Sequence, residues 1–397
     1  MSQDEADSPI TIYIVHHPKC QEAENLAGRL YQWFRLGYLS GDSSAAGLPV
    51  HFRRRVSECQ GAKGPKATVL PQIEFSEAAQ NVVIAIIDHQ MVLDPRWREA
   101  IVGLAEEIRS LSAPAKGAAQ SGSAILLPVA IHDSFYRLAP VYETFNPIRL
   151  LGMTDEQMES TIRRAVTESA ARMLVTNDRL HPQPLNVFLS HAKADGIVTA
   201  ETLRDGIRRV SQLTAWYDAN DLPYGASWNS PMQTAAREGT AALIAVMSDA
   251  YPGRPWCRKE ATLARTPRCL ADRKIGNRIW TLQPVVAVRQ TGTQWTRGMP
   301  MLEGVPAISW NPVHSAELTA KVVDRLVLDV LLRQVHLQLA QRLLSHLPEP
   351  SRRQSCFITW IPDAWTLMAL RTELSRTKIK PASIRNICYP GYGLTDT

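Results

Sequence analysis

With 397 residues, the chain is long enough for two or three domains, and its 45% hydrophobic and 21% charged residues are typical of a globular protein. The formal net charge of +6 is only mildly basic. No stripe of basic and aromatic residues recurs along the chain, so the composition argues against nucleic-acid binding.

The pattern of cysteines and the composition of the N-terminus indicate the cellular compartment of the protein. The six cysteines are scattered without a CxxC pair, so neither a disulfide framework nor a metal site is expected. Residues 1–9 are acidic and polar rather than a signal peptide, and no apolar run approaches the ~18 residues that span a membrane. These patterns predict a cytoplasmic protein without membrane attachment.

Four segments of the first half recur in the same order in the second half, at offsets of about 155 to 175 residues. The pairs are ITIYIVHH (10–17) with LNVFLSHA (185–192), NVVIAIIDHQMVLDPRWREAI (81–101) with AALIAVMSDAYPGRPWCRKEAT (241–262), ILLPVAI (125–131) with LQPVVAV (282–288), and FNPIRL (145–150) with WNPVHS (310–315). This order indicates a duplicated domain.

Each copy alternates continuous apolar strands with amphipathic helices, a pattern typical of a parallel sheet covered by helices on both faces. We therefore predict an α/β protein with two doubly wound domains, at 10–176 and 185–346, after a disordered segment at 1–9 and with a linker at 177–184. Residues 347–397 hold a strand, a helix and a second strand, too few for a sheet of their own. They either pack on the second copy or begin a further domain.

Two helix ends have local signals. Thr154 and Gln157 have the spacing of a capping box that opens the last helix of the first copy. Ser315 is expected to cap the last helix of the second copy, in which apolar residues continue to about His346.

Polar residues follow three predicted strands of the second copy. Those after the first two strands are Ser190, His191, Lys193, Asp218, Tyr224 and Trp228. After the third strand comes SDAYPGRPWCRKE, residues 248–260, in which Trp256 and Glu260 are four positions apart. Because the loops at the carboxyl ends of parallel strands form the ligand crevice of such sheets, we expect these residues to meet there.

Together these segments resemble the TIR (Toll/interleukin-1 receptor) domain. FLSHAKAD resembles its first strand, and WYDANDLPYGASW with MQTAAREG resembles its second strand and the following loop and helix. The stretch at 248–260 resembles the Ser-x-x-Tyr and Trp-Cys-x-x-Glu pattern of plant and bacterial TIR domains. The resemblance covers residues 185–344 and implies a flavodoxin-like fold. Residues 10–176 then form a degenerate TIR-like domain.

Many TIR domains of this type cleave NAD+ at the nicotinamide–ribose bond, and the resemblance implies this activity here. Glu260 matches the family's catalytic glutamate and Trp256 matches the preceding aromatic residue. The other polar residues are implied to bind substrate: Ser190, His191, Lys193, Asp218, Tyr224 and Trp228. NAD+ is then a substrate, and no separate cofactor is implied. Loss of nicotinamide gives the ribose oxocarbenium character, which a fixed carboxylate stabilises, and the cationic leaving group needs no general acid.

The resemblance also implies control of the activity. Active sites in this family are often completed by a neighbouring molecule, so a homo-oligomer formed through TIR–TIR contacts is implied. The product is ADP-ribose or a cyclic variant, and bacterial relatives commonly act in anti-phage defence. Constant loss of NAD+ is toxic, so an upstream sensor protein or ligand is expected as the trigger.

Three other functions remain open. A non-catalytic TIR scaffold has no need of the carboxylate at Glu260, so the intact Trp256–Glu260 spacing favours the enzyme. A nucleoside 2-deoxyribosyltransferase-like enzyme also uses a glutamate, but no second motif supports it. Nucleic-acid binding has the weakest support. Taken singly, Trp256 and Cys257 are typical of core packing, and His191 of a structural hydrogen bond; Cys257 is expected to be a buried thiol rather than a nucleophile.

The first copy departs from the catalytic pattern. Trp97 is followed four positions later by Ile101, and His16 stands in the place of Ser190. We predict that this copy is inactive and senses a ligand, mediates assembly or inhibits the second copy.

Overall fold

The computed structural model describes residues 8–36, 47–59, 67–69, 73–111, 123–138, 141, 143–176, 184–216, 241–270, 279–292, 298–377 and 379–389. The contacts divide the chain into two compact units, Met1–Pro182 and Gln183–Thr397. Among the helices of the described ranges, none has the length and apolarity needed to traverse a bilayer.

The first unit is built on a parallel sheet of five strands in the order β2-β1-β5-β6-β7. The strands of this unit are β1 (Ser8–His16), β2 (Val50–Arg53), β3 (Ser57–Cys59), β4 (Ala67–Val69), β5 (Ala78–Ile87), β6 (Ser123–Ala130) and β7 (Ile148–Arg149). The pair β3 and β4 forms a separate antiparallel ribbon. Eight of the nine residues of β1 are buried, as expected for a strand covered on both faces.

The helices of this unit are α1 (Gln21–Tyr31), α2 (His89–Leu93), α3 (Pro95–Leu111) and α4 (Asp155–Thr176). The predicted capping box is confirmed at the start of α4. The Thr154 amide donates to Gln157 Oε1 at 3.0 Å, and the Gln157 amide donates to Thr154 Oγ1 at 3.4 Å.

The second unit contains two sheets. Its strands are β8 (Asn186–His191), β9 (Thr214–Trp216), β10 (Ala242–Met247), β11 (Arg268–Leu270), β12 (Ile279–Thr281), β13 (Val285–Gln290), β14 (Ala307–Trp310), β15 (Ser355–Ile358) and β16 (Asn386–Cys388). Five of them form a parallel sheet in the order β14-β13-β10-β8-β9. Counted along each sheet, both units have the order 2-1-3-4-5, which is that of the flavodoxin-like fold. The predicted fold class is confirmed.

The helices of the second unit are α5 (Ile197–Val210), α6 (Pro255–Ala264), α7 (Ser315–His346), α8 (Glu349–Gln354) and α9 (Ala364–Arg376). The long helix α7 ends at His346, as predicted. The prediction that Ser315 caps it was wrong, because Ser315 is already the first helical residue. A 3-10 turn at Pro312–His314 leads directly into the helix, and Asn311 Oδ1 accepts from the Val313 amide at 3.1 Å before that turn.

The last part of the chain completes the second sheet, in the order β11-β12-β15-β16. Residues 355–388 have the strand–helix–strand order expected from the sequence, but they pair with β12, which lies between α6 and β13. The side chain of Trp280 in β12 is 1% exposed and packs with apolar residues of β15 and α9. These strands therefore extend the second unit.

His336 links α7 to this second sheet. Because its imidazole is buried, we expect the protein to lose stability in acid. Its Nδ1 lies 3.4 Å from the carbonyl oxygen of Thr359, and the side chain is 8% exposed. Burial lowers the pKa of His336 from 6.5 to about 4. The unfolded chain therefore binds the proton first, and stability that is fully present above pH 6.5 is lost as the pH falls towards 4. The loss from this group is about 3 kcal/mol.

Urea unfolding of the full chain between pH 7 and pH 4 measures this effect. His336→Gln should flatten the part of the pH dependence that His336 causes. His346→Gln is the matched control, because His346 lies on the same helix and is exposed. Equal pH profiles for wild type and His336→Gln would contradict the prediction.

Candidate functional site

The predicted site residues of the second unit lie where β8 and β10 end. These strands are neighbours in the parallel sheet, with Val246 in register with His191. A 3-10 turn at Tyr251–Gly253 follows β10, and α6 begins at Pro255. Proline suits the first helical position because its missing N–H has no partner within the helix there. The topology thus brings Ser190 and the residues of α6 to one edge of the sheet.

A chain of hydrogen bonds connects three side chains at this edge. Ser190 Oγ donates to Glu260 Oε2 at 2.6 Å and lies 2.7 Å from the Tyr251 hydroxyl. The three residues are 1%, 7% and 0% exposed in the order Ser190, Glu260, Tyr251. Burial raises the pKa of Tyr251 well above its usual value, so the phenol stays protonated and donates to Ser190 Oγ. The Ser190 hydroxyl is therefore set to orient the carboxylate.

A second group of hydrogen bonds fixes the loop after β8, and sequence reasoning missed it. Asp195 accepts from Ser248 Oγ at 2.5 Å and from the Ala250 amide at 2.9 Å. Gln290, at the end of β13, donates to the Asp195 carbonyl oxygen at 3.1 Å and to Thr199 Oγ1 at 2.9 Å. Asp195 closes the FLSHAKAD segment, so its position was visible in the sequence, but its partner was not. These bonds tie the ends of β8, β10 and β13 together.

Cys257 is a buried thiol, as predicted. Its side chain is 4% exposed, and Sγ donates to the His191 carbonyl oxygen at 3.4 Å. Burial, with the nearby negative charge of Glu260, raises its pKa to about 12. A thiol that stays protonated is a weak nucleophile, so Cys257 serves to hold α6 against β8.

Trp256 and Glu260 differ in exposure although they are four positions apart on α6. Trp256 is 45% exposed, and Lys259 Nζ lies 4.9 Å from the centre of its ring. The carboxylate of Glu260 is turned inwards to Ser190. The indole is therefore a surface group beside a nearly buried carboxylate.

The remaining predicted residues fall into two groups. Lys193 is exposed in the loop after β8, and His191 is partly buried at the end of that strand. Asp218, Tyr224 and Trp228 lie outside the described residues. The structure brings Ser190 together with Glu260, and the substrate-binding roles of all these residues remain predictions.

The first unit fills the equivalent positions with packed side chains. Ile101 is 0% exposed where the second unit has Glu260. The prediction that His16 takes the place of Ser190 was wrong, because the strand registers put Val15 at that position and His16 at the position of His191. Val15 is 0% exposed. Trp97 is only 3% exposed, and the ring of His17 lies 5.2 Å from it. Among the described residues of this unit, the position equivalent to Glu260 therefore carries no carboxylate, and the tryptophan equivalent to Trp256 is buried.

Comparison with known proteins identifies the family of one segment of the second unit. Residues 187–294 match the family model of the TIR domain. This segment is therefore a TIR domain, as the sequence predicted. No curated protein matches the chain at a significant level.

Two solved structures illustrate how distant the likeness of the whole chain is. Tagatose-6-phosphate ketose/aldose isomerase from Escherichia coli is 11% identical, with 84% of each chain covered and a TM-score of 0.21. The C-terminal domain of glucosamine-fructose-6-phosphate aminotransferase from Francisella tularensis is 8% identical, with 83% of this chain and 84% of that chain covered and a TM-score of 0.17. Scores this low carry no argument about fold or function.

Proposed function

We propose that the TIR domain of this protein cleaves NAD+ at the nicotinamide–ribose bond, with Glu260 as the catalytic residue. The observation that carries the proposal is the 2.6 Å hydrogen bond from Ser190 Oγ to Glu260 Oε2 at the carboxyl edge of the sheet. A carboxylate oriented in this way, on a helix that also presents Trp256 at the surface, suits a site for a ribose next to a flat base.

The chemistry needs one negative group in a fixed place. The bond between C1′ of the ribose and the pyridinium nitrogen breaks, and its electron pair leaves with nicotinamide. Positive charge develops on C1′ and the ring oxygen, where the Glu260 carboxylate stabilises it. Water then adds to C1′ and releases a proton, which gives ADP-ribose. Attack by a nucleophile of the same molecule gives a cyclic product instead.

The burial of Glu260 supports control by assembly. At 7% exposed, the carboxylate is nearly closed off from solvent. We propose that self-association through TIR–TIR contacts, under an upstream sensor or ligand, opens the site and completes it with Asp218, Tyr224 and Trp228. Controlled consumption of NAD+ fits a role in bacterial anti-phage defence.

One observation favours the second candidate, a non-catalytic TIR scaffold. The Ser190, Glu260 and Tyr251 side chains satisfy one another inside the domain, while the indole of Trp256 faces outwards. A scaffold would use the indole as a contact and the carboxylate as a structural hydrogen-bond acceptor.

Turnover of NAD+ by the purified full chain tests the two candidates. Nicotinamide release is measured at several protein concentrations beside Glu260→Ala, and the products are separated chromatographically. Release by wild type that Glu260→Ala lacks supports the enzyme, and a steep rise with concentration supports activation by assembly. Absence of turnover at every concentration, together with absence of NAD+ binding, supports the scaffold.

A further inference from the structure

The end of helix α6 is held by a residue from far along the chain. Arg265 directly follows α6, five positions after Glu260, and its amide donates to the Ala261 carbonyl oxygen at 3.1 Å. Its guanidinium donates to Asp363 Oδ2 at 2.5 Å and to the Met301 carbonyl oxygen at 3.1 Å. Asp363 lies 98 residues later, outside the segment that matches the TIR domain.

Both partners of this ion pair are fixed by further contacts. The Arg265 side chain is 10% exposed, so its charge is largely removed from water and needs the carboxylate. Asp363 Oδ1 accepts from the Thr366 amide at 2.7 Å and so caps helix α9. The carboxylate also lies against Gly304, where an added Cβ would stand 2.8 Å from Oδ2.

Apolar packing reinforces the same connection. Trp365, in the first turn of α9, packs against the core cluster that contains Cys257 and Ala261 of α6. Strand β11, which begins at Arg268, joins the second sheet through β12. The last part of the chain is therefore connected to the helix of Glu260 by an ion pair at the helix end, by an aromatic side chain packed on the same core cluster and through a shared sheet.

The two ends of α6 are held differently. Near its start, Cys257 bonds to β8 and Glu260 bonds to Ser190, both within the TIR fold. Its end is held by Asp363 and Met301. A short helix with one end released would tilt, and small displacements of a catalytic carboxylate reduce transition-state stabilisation strongly.

We propose that Arg265 and Asp363 are positioning residues, and that the buried ion pair between them makes the C-terminal part of the chain set the orientation of Glu260. The proposal rests on the proposed function for its kinetic consequence. It assigns a role in the reaction to Asp363, a residue outside the segment that matches the TIR domain.

Asp363→Asn in the full chain tests this role. Asparagine also caps helices well, so the start of α9 is kept while the charge is lost. We expect kcat for NAD+ cleavage to fall about tenfold with KM changed less than about twofold, because a group that acts through Glu260 affects the transition state. Hydrogen exchange of the last amides of α6 should rise about tenfold as well.

Glu373→Gln is the matched control, since it removes the Arg376–Glu373 ion pair on the same helix α9 without touching α6. The double variant Arg265→Gln with Asp363→Asn should lose no more kcat than the single variant that loses more, as expected for partners of one interaction. Unchanged kcat or unchanged α6 exchange in Asp363→Asn would overturn the proposal, as would an equal loss in Glu373→Gln. If wild type shows no turnover, the proposed function fails, and the exchange measurement alone still decides whether the ion pair fixes α6.

Discussion

Replacing Glu260 by glutamine is expected to lower kcat for NAD+ cleavage about 10³-fold, which corresponds to about 4 kcal/mol of transition-state stabilisation. The amide has nearly the shape of the carboxylate and still accepts the hydrogen bond from Ser190 Oγ, so the helix stays in place. It lacks the negative charge that opposes the charge developing on the ribose. KM is expected to change much less than kcat, and single-turnover nicotinamide release measures the chemical step directly.

Two further variants make this result specific. Asp249→Asn removes an exposed carboxylate two residues before Tyr251 at the same edge and should leave kcat unchanged. Ser190→Ala should lower kcat about tenfold, because the carboxylate loses the donor that orients it. A Glu260→Gln protein that keeps more than about a tenth of the wild-type kcat would remove Glu260 from the catalytic role.

Replacing Trp280 by alanine is expected to destabilise the second sheet by about 3 to 5 kcal/mol, the usual cost of truncating a buried tryptophan. Trp280 is among the largest fully buried side chains. It packs with a cluster drawn from β15 and α9, whose members are Cys356, Ile358, Leu370 and Leu374. Alanine would leave a cavity at the centre of this sheet.

Labelling of the Cys356 thiol during a urea titration of the full chain reports on this region, because Cys356 is 0% exposed in the folded protein. Trp280→Ala should move the labelling midpoint to lower urea. Trp256→Ala is the matched control, since a 45% exposed indole contributes little to the core. Labelling midpoints that agree between wild type and Trp280→Ala would show that the cluster does not hold the sheet.

The parallel sheets were predictable because their strands are long apolar runs. β10 is buried along its whole length, and its uniformly apolar sequence ALIAVM predicts that burial. The edge at which Ser190 and Glu260 meet followed from the topology of such sheets. The direct hydrogen bond between them could not be predicted, because it joins side chains 70 residues apart and depends on the rotation of α6 about its axis.

The second sheet was not predicted, for a physical reason. β11 and β12 are three residues long each, too short for any hydrophobic period, and β11 is only half buried. Their place in a four-stranded sheet depends on the pairing of β12 with β15, which lies far along the chain. The Arg265–Asp363 ion pair was not predicted either, because its two residues are 98 positions apart and no local pattern marks them as partners.

The long connection between β12 and β15 also sets an order of events during synthesis. Thr281 and Thr359, whose hydroxyls are 3.0 Å apart, are separated by 78 residues. At translation rates of about 5 to 20 residues per second, this interval lasts about 4 to 16 s. After Trp310, which is 29 residues into this interval (310 − 281), the last strand of the TIR sheet has been synthesised while β12 still lacks its parallel neighbour. The edge of β12 therefore stays unpaired until β15 is synthesised. During this time a chaperone or a second nascent chain has most access to that edge.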